Sequence, residues 1–300
     1  MNFSQDILKS EEKAIFKLRS LYSAWGYEPY KMSKFEEYDL YVRNKSFLVS
    51  DNIITFTDTD GKLMALKPDV TLSIVKSTRE NEPRKVYYNE NVYRVSDGSH
   101  SYKEIMQTGL EYIGKLDLYS ISEVLFLAEK SLEAISDDFV LDVSHLGVVS
   151  VLINLSGVSE KGKKELLKLI GEKNVHGIEA LCREEGVSDH NTWRLKKLVQ
   201  CYGKPFEVIE KIKEFLTEEE FCRDIEDMEE IFASVKSDNI RLDFSVVSDL
   251  TYYNGIVFKG FINAIPSAVL SGGQYDALMR RFGKNSGAIG FAVYLDMLEN

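Results

Sequence analysis

The sequence predicts an α+β domain that is interrupted by a helical insertion, and three observations lead to this fold class. Apolar side chains recur at the two-residue period of β-strands in both the first and the last part of the chain. Stretches with apolar side chains at helical spacing flank those strands. From residue 156 to residue 238 only the helical spacing recurs, and lysine, glutamate and leucine dominate. We therefore assign residues 1–155 and 239–300 to one α+β domain and residues 156–238 to a helical insertion.

The first part of the chain is predicted to contain a helix, a short β-hairpin and a second helix. In chain order these are helix 5–25, strand 47–60, strand 63–66 and helix 72–77. Asp69 and Thr71 stand just before or at the start of that second helix. Side-chain oxygens at such positions commonly cap a helix, so capping is favoured over a ligand-binding role on local pattern alone.

A longer hairpin is predicted for residues 85–114, where two alternating segments flank the polar turn 96–99. Side chains two residues apart in a strand share a face. Arg94 from the first strand should therefore face the same side as Gln107 and Glu111 from the second. A cation, an amide and a carboxylate on one face are costly to bury without a partner. Spacing alone leaves two readings open, a small-molecule pocket or an exposed polar face.

The remaining elements follow the same two periodicities. They are helix 121–136, strand 139–143, helix 148–155, a strand at 240–246, a hairpin within 251–262 with Asn254–Gly255 as its turn or bulge, a tight passage at 271–276 whose two glycines indicate a close backbone approach, helix 277–282, and a last strand at 286–294. Tyr252 and Tyr253 are most often core or rim aromatics in such a context.

Composition and charge narrow the function classes. The net charge of −11 argues against a large nucleic-acid footprint, because phosphate neutralisation supplies most of such affinity. The three cysteines lack the spacing of a metal knuckle and the four histidines are scattered, so no metal is expected. No apolar run approaches the roughly 20 residues of a membrane span, and the charged N-terminus lacks a signal peptide's apolar block. We expect a cytoplasmic protein that binds no membrane and needs no cofactor.

Five motifs in one order resemble the catalytic domain of histidyl-tRNA synthetases. They read LKPDVT, NVYR…QTGLEYIG, LTYYNGIVF, SGGQYDAL and AIGFAVYLDML. The resemblance covers about residues 5–155 and 240–300. It implies a class II synthetase-like fold, an antiparallel sheet flanked by helices, with a helical insertion where the periodicity places one.

The resemblance also implies a histidine-binding site. By position, Asp69, Thr71 and Gln107 match residues that hold the α-amino group of histidine in that family. Glu111 and Tyr253 match those that meet the imidazole, with Tyr252 and Tyr275 lining it, and Arg94 matches the arginine of the second class II motif. A carboxylate that faces an imidazole N–H is a physically reasonable way to select histidine over apolar amino acids.

Other positions depart from the synthetase pattern. Synthetase arginines fall on Ser248, Gln274 and Met297, and a synthetase glutamate falls on Ser96. The arginines at two of these positions, 248 and 297, assist adenylation in the synthetases, where one such donor is typically worth about 3 kcal/mol of transition-state stabilisation. The chain also ends where a synthetase continues into an anticodon-binding domain. We therefore expect no adenylation activity and no tRNA partner.

The hexapeptide LKPDVT resembles most closely the regulatory subunits of ATP phosphoribosyltransferase, a paralogous family that writes aspartate where synthetases have glutamate. This resemblance implies a non-catalytic chain that partners a short-form ATP phosphoribosyltransferase catalytic subunit and takes part in histidine feedback on histidine biosynthesis. It also implies a homodimer within a hetero-oligomer. A divergent synthetase or histidine-activating enzyme and a free-standing histidine-binding module remain alternatives.

Overall fold

The computed structural model describes residues 8–44, 53–79, 82–95, 101–247, 252–263 and 265–298. The strands are β1 (Glu28–Pro29), β2 (Phe35–Glu37), β3 (Thr55–Thr57), β4 (Leu63–Leu66), β5 (Arg84–Val95), β6 (Tyr102–Gly114), β7 (Phe139–His145), β8 (Tyr202–Gly203), β9 (Ile240–Asp243), β10 (Ile256–Ile262), β11 (Leu270–Gln274) and β12 (Gly287–Tyr294). The helices are α1 (Ser10–Ala24), α2 (Tyr38–Val42), α3 (Thr71–Ser77), α4 (Leu118–Glu133), α5 (Leu146–Ser156), α6 (Glu160–Gly171), α7 (Val175–Glu184), α8 (Asp189–Gln200), α9 (Pro205–Lys213), α10 (Glu219–Ser234) and α11 (Asp276–Arg281), and a 3₁₀ turn covers Leu295–Leu298.

Within these residues a nine-stranded sheet in the order β1-β5-β6-β12-β11-β10-β7-β9-β8 forms the centre of the fold, and β2, β4 and β3 form a small second sheet. The predicted α+β class is confirmed. The sheet is mixed rather than purely antiparallel, because β1 runs parallel to β5 and β7 runs parallel to β9. Parallel neighbours need long crossover connections, and the helices between β7 and β9 supply one of them.

The central sheet is buried on both faces. α1 and α4 pack on one face around a cluster that includes Leu18, Leu125 and Phe291. The other face carries a second cluster, which includes Leu72, Tyr88 and others from α3 and β5. Because both faces are covered, a polar side chain on either face of the central strands lies inside the protein.

The register of the long β5–β6 hairpin places the predicted polar side chains on one face of the sheet. Arg94 lies opposite Lys103, and the same register places Val86 opposite Glu111. Directly opposed residues share a face, so Arg94, Gln107 and Glu111 lie on one side of the sheet. The predicted turn at 96–99 lies outside the described residues.

The hairpin predicted within residues 251–262 is wrong. Ile256–Ile262 is one strand, paired with β7 on one side and β11 on the other, and Asn254 and Gly255 precede it. Gly260 lies in the middle of this strand. Only a glycine fits there, because a Cβ would lie 2.6 Å from Cδ1 of Leu132 on α4. The predicted tight passage at 271–276 is likewise mostly strand β11, in which a Cβ on Gly272 would lie 2.4 Å from a backbone oxygen of β12. These glycines mark close packing rather than turns.

The other predicted elements are present with shifted ends, and residues 47–52 of the early predicted strand lie outside the described residues. The segment 156–238 contains helices α6 to α10 and the unpredicted strand β8, which pairs with β9. Buried side chains from these helices, such as Leu166 and Phe221, belong to the same cluster as Leu125. The domain division stays a prediction. In the described ranges, no helix combines the length and apolar character that a membrane span requires.

Candidate functional site

A buried carboxylate forms the centre of the site. Glu111 on β6 is only 2% exposed. Its Oε1 accepts a hydrogen bond of 2.7 Å from Oγ1 of Thr71, the first residue of α3. Its Oε2 accepts one of 2.6 Å from the hydroxyl of Tyr275, which follows β11. Three segments that are distant in sequence therefore meet at one side chain, and both donors are neutral hydroxyls.

A glycine on the neighbouring strand makes room for this carboxylate. Gly290 of β12 lies directly opposite Glu111, and a Cβ at Gly290 would stand 1.7 Å from Oε2 of Glu111. The glutamate side chain thus lies across the β12 backbone, which only a glycine permits. Sequence reasoning missed this residue, although it stands inside the motif AIGFAVYLDML.

Burial sets the protonation of Glu111. It raises the pKa of this carboxyl to about 8, against the opposing effect of the hydrogen bonds from Tyr275 and Thr71, and the negative charge of Asp69 raises it further. A carboxyl group with this pKa is mostly protonated at neutral pH. A bound ligand that brings an N–H donor or a positive charge would favour its ionised form.

Asp69 caps α3 and also belongs to this buried group. Its Oδ1 accepts a 2.8 Å hydrogen bond from the backbone N–H of Leu72. Burial raises the pKa of Asp69, and the Leu72 N–H and the charge of Arg94 lower it in part. Helix capping does not exclude ligand binding here, because a carboxylate has a second oxygen that can serve the other role.

Tyrosine rings form the apolar walls. The ring of Tyr252 lies 4.4 Å from that of Tyr253 and 6.1 Å from that of Tyr275, measured between centroids. Burial raises the pKa of all three hydroxyls, and the carboxylate of Glu111 adds to this. Planar apolar faces beside a carboxyl group suit a flat, aromatic, N–H-bearing ligand.

The two other predicted site residues lie farther along the hairpin. Gln107 is 4% exposed and stands opposite Tyr294 of β12, about 13 Å along β6 from Glu111. Arg94 donates from Nε to the carbonyl of Pro68 at 3.2 Å, and its charge lowers the pKa of Asp69. The structure therefore brings Asp69, Thr71, Glu111 and the three tyrosines together, with Gln107 and Arg94 at one end.

An internal ion pair that sequence reasoning missed holds the LKPDVT segment. Lys67 is fully buried, and its Nζ lies 2.5 Å from Oε2 of Glu90 on β5. Burial lowers the pKa of Lys67, and the bond to Glu90 raises it. The backbone N–H of Tyr93 also donates to the Lys67 carbonyl at 2.9 Å. These contacts place Asp69 and Thr71 against the hairpin.

A second polar cluster fixes the tyrosine-bearing loops. Oδ2 of Asp276 accepts from the amides of Asn254 at 3.0 Å and Gln274 at 2.7 Å, while Oδ1 accepts from the backbone N–H of Ala288 at 2.9 Å. Asn254 adjoins Tyr253, and Gln274 and Asp276 flank Tyr275. The cluster thereby links the two loops that carry the aromatic walls.

Two of the four positions that depart from the synthetase pattern, Gln274 and Met297, lie within the described residues. The side-chain amide of Gln274 donates a hydrogen bond to Asp276, as described above. Met297 lies in the 3₁₀ turn, where it packs against the main apolar cluster beside Leu298. Ser96 and Ser248 lie outside the described residues. Within the described ranges, no three ligating side chains are arranged to hold a metal ion.

Comparison with known proteins agrees with this fold and with the order of the motifs. A family model described as histidyl-tRNA synthetase matches residues 4–298. A protein of Acetivibrio thermocellus named ATP phosphoribosyltransferase regulatory subunit is 28% identical over 314 residues, which cover 98% of this chain and 74% of the relative. A crystal structure of an ATP phosphoribosyltransferase regulatory subunit/histidyl-tRNA synthetase from Bacillus halodurans superposes with a TM-score of 0.87 at 25% identity, over 100% of this chain and 80% of that one. A chain of the ATP phosphoribosyl transferase (HisG:HisZ) complex from Thermotoga maritima superposes with a TM-score of 0.74 at 20% identity, over 95% of this chain and 97% of that one.

Proposed function

Because this chain belongs to the histidyl-tRNA synthetase family, we propose that it retains a histidine pocket and serves as a non-catalytic regulatory subunit of ATP phosphoribosyltransferase. Its partner would be a short-form catalytic subunit in the cytoplasm, and the complex would carry out the first step of histidine biosynthesis. The names of the Acetivibrio and Bacillus relatives and the two-component complex from Thermotoga support this proposal.

One observation supports the proposal most strongly: Glu111, Thr71 and Tyr275, three of the side chains that match the amino-acid side of a synthetase site, are hydrogen-bonded to one another. Glu111 is held by two hydroxyls and flanked by tyrosine rings, so it can accept an N–H from an imidazole. Asp69, Thr71 and Gln107 would hold the α-amino group. Histidine would lie with its ring between the tyrosines and its ammonium group toward the start of α3.

The methionine removes charge where adenylation needs it. Attack of a carboxylate on the α-phosphate of ATP builds up negative charge that cations must neutralise. The synthetase pattern has an arginine at the position of Met297, whose thioether packs on the apolar cluster instead. We propose that the chain binds histidine without activating it.

Regulation would follow from differential affinity. If histidine binds more tightly in one arrangement of the complex than in another, it shifts the equilibrium by the ratio of the two affinities. Homodimers of this chain within the hetero-oligomer are part of the proposal.

Reconstitution tests the proposal. The purified chain would be mixed with a short-form catalytic subunit, and formation of phosphoribosyl-ATP would be measured with and without histidine. We expect a complex on size exclusion, a rise in activity, and a response to histidine that Glu111→Ala abolishes. The matched variant Tyr22→Phe, which loses a buried hydroxyl on the opposite sheet face, should keep the response. Absence of a complex, or a complex with unchanged activity, would overturn the proposal.

The family name favours a second function, a divergent histidine-activating enzyme. Histidine-dependent exchange of pyrophosphate into ATP separates the two functions. We expect no exchange above that of a histidine-free control. Exchange at the rate of a synthetase assayed in parallel would establish the enzyme instead. Histidine binding with neither exchange nor a partner would indicate a free-standing binding module.

A further inference from the structure

A groove between two helices of the predicted insertion has no part in the proposed function. It has a volume of ≈350 Å³, within the range of small-molecule sites. From α8 it is lined by Trp193, Lys197 and Gln200, whose spacing of four and then three residues places them on one helix face. Lys211 near the end of α9 and Phe215 just beyond that helix line it as well. The groove therefore lies between two helix faces that carry both aromatic and basic side chains.

Aromatic rings form the apolar part of the groove wall. Trp193 is 46% exposed, and its indole lies edge-on to the ring of Phe215 with 5.7 Å between the centroids. The ring of His190 stacks on the same indole at 6.3 Å. These neighbours hold the indole in place while nearly half of the residue stays accessible. A tryptophan of this kind offers a flat apolar surface to a planar ligand.

The two lysines of the groove lack a counter-ion within the described part of the chain. Three other lysines of the insertion, Lys196, Lys204 and Lys213, each lie 2.6–2.9 Å from a carboxylate oxygen. Lys197 and Lys211 make no such pair among the described residues. Acidic partners are abundant in this chain, which has 48 aspartates and glutamates against 37 lysines and arginines. Two ammonium groups in the groove thus remain available to an external anion.

Both ammonium groups lie near one point of the groove. Cys201 lines the groove and is only 9% exposed. Burial raises the pKa of its thiol, and the charges of Lys211 and Lys197 lower it in part. Charges shift a pKa in this way at short range, so the two lysines approach the same sulfur atom. Among the described residues that line the groove, Glu214 alone carries a carboxylate, so the lining keeps a net positive charge.

We propose that this groove binds a small aromatic anion, either a carboxylate or a phosphate ester that bears one planar ring. The anionic group would lie between the ammonium groups of Lys197 and Lys211 and supply the counter-charge that they lack. The ring would lie against the indole of Trp193 beside Phe215. The amide of Gln200, which makes no hydrogen bond among the described residues, would donate to the anion.

Tryptophan fluorescence tests the proposal on the full chain. The chain has two tryptophans, and Trp25 lies at the end of α1, where its ring contacts that of Phe126 at 5.3 Å. Trp25→Phe therefore leaves Trp193 as the single reporter. Four matched probes would be titrated: benzoate, phenyl phosphate, benzamide and benzylammonium. We expect the two anions to change the emission in a saturable manner, and the neutral and cationic probes to leave it unchanged. The tighter of the two anions assigns the head group as carboxylate or phosphate.

Substitutions of the charged side chains have effects of opposite sign. Lys197→Gln and Lys211→Gln should each weaken anion binding about fivefold, the upper end for an interaction between exposed charges. Glu214→Gln should strengthen it about twofold, because a repulsive charge is removed. The control Lys164→Gln, at an exposed lysine of α6, should leave binding unchanged. Titration calorimetry of the unmodified chain with the same four probes gives affinities that depend on no substitution.

Three outcomes would each overturn the proposal. They are equal binding of benzamide and benzoate, an affinity that neither lysine substitution changes, and an emission of Trp193 that no anion alters. None of these measurements uses histidine or a catalytic subunit, so the outcome is independent of the proposed function.

Discussion

Glu111 and Glu123 are both buried carboxylates, on opposite faces of the same sheet, and they differ in what compensates their charge. Glu123 on α4 is 6% exposed and accepts from Nζ of Lys85 at 2.8 Å on each oxygen and from the hydroxyl of Tyr27 at 2.9 Å. Glu111 is 2% exposed and accepts from the hydroxyls of Thr71 and Tyr275. Among the described residues, Glu123 has a counter-ion inside the fold, whereas the groups that bond to Glu111 are neutral.

This difference in charge compensation has different consequences for stability on the two faces. A buried ion pair adds little net stability but is costly to break, because one charge is then left alone. A buried carboxyl without a counter-ion lowers stability whenever it must ionise, and a ligand that supplies positive charge or N–H donors relieves that cost. A bound cation or N–H donor would therefore favour the ionised form of Glu111, as the proposed histidine pocket requires. Four predictions follow from this contrast, in order of decreasing effect.

The largest effect is expected in the pH dependence of folding. The pKa of Glu111 is raised from 4.5 to about 8, so the folded chain keeps a proton that the unfolded chain has lost. Its contribution to stability is fully present below pH 4.5 and is lost as the pH rises through about 8. Glu111→Gln removes this titration. Between pH 5 and pH 9 we expect the free energy of unfolding of the wild type to fall relative to this variant by roughly 4 kcal/mol.

Urea denaturation of both proteins across this pH range measures the difference. Titrating groups that do not interact with Glu111 contribute equally to both chains, so they cancel in the comparison. Parallel pH profiles for the wild type and Glu111→Gln would contradict the assignment of an uncompensated carboxyl.

On the opposite face, Lys85→Met leaves Glu123 buried with only the Tyr27 hydroxyl. We expect the free energy of unfolding to fall by about 2–3 kcal/mol, somewhat less than for a fully buried pair because the Lys85 side chain is 33% exposed. Lys213→Met is the matched control, with a side chain 39% exposed but with less buried partners, and should cost under about 1 kcal/mol. Urea denaturation at neutral pH checks both values. Equal losses in the two variants would remove the distinction between the faces.

Ligand binding should depend on Glu111 and not on Glu123. Glu111→Ala removes the acceptor for the imidazole and should weaken histidine binding about 30-fold, or about 2 kcal/mol, in titration calorimetry. Lys85→Met, studied at a temperature where it is folded, should bind histidine as the wild type does. Unchanged affinity in Glu111→Ala would refute the assignment of the pocket.

The smallest effect concerns single hydroxyl groups. Tyr275→Phe removes one of the two donors to Glu111 and should reduce histidine affinity about fivefold, or about 1 kcal/mol. Tyr22→Phe removes a hydroxyl that bonds to Ser131 at 2.9 Å in the core on the other face. It should lower stability by about 1 kcal/mol and leave the affinity unchanged. A reversal of these two outcomes would show that the faces do not divide the roles as described.

Local patterns were sufficient for the hairpin and for most helices. The two-residue period of 85–113 predicted which side chains share a face, because alternation is a property of every strand. Glycine was the main source of error. Asn254 and Gly255 are predicted as a hairpin turn or bulge, whereas they precede a single strand, and Gly260 and Gly272 lie within strands where a neighbour is too close for a Cβ. That reason depends on Leu132 and on β12, which are distant in sequence.

The candidate site also combines features that local sequence predicts with features that depend on contacts between distant segments. The motifs pointed to Asp69, Thr71, Glu111 and the tyrosines, but nothing local indicated that Gly290 must be a glycine or that Lys67 would be buried against Glu90. Both facts arise from contacts between segments that only the folded sheet brings together.

The sequence by itself determined the fold class, the sheet faces and the residue types available to the proposed histidine pocket, because these depend on periodicity and on ordered motifs. The tertiary structure alone decided which buried carboxylate receives a counter-ion. Lys85 lies across from α4 and reaches Glu123, while Glu111 faces α3 and the tyrosine loops, where the groups that reach it are hydroxyls. Charge compensation depends on distances of a few ångströms, and local sequence does not contain those distances.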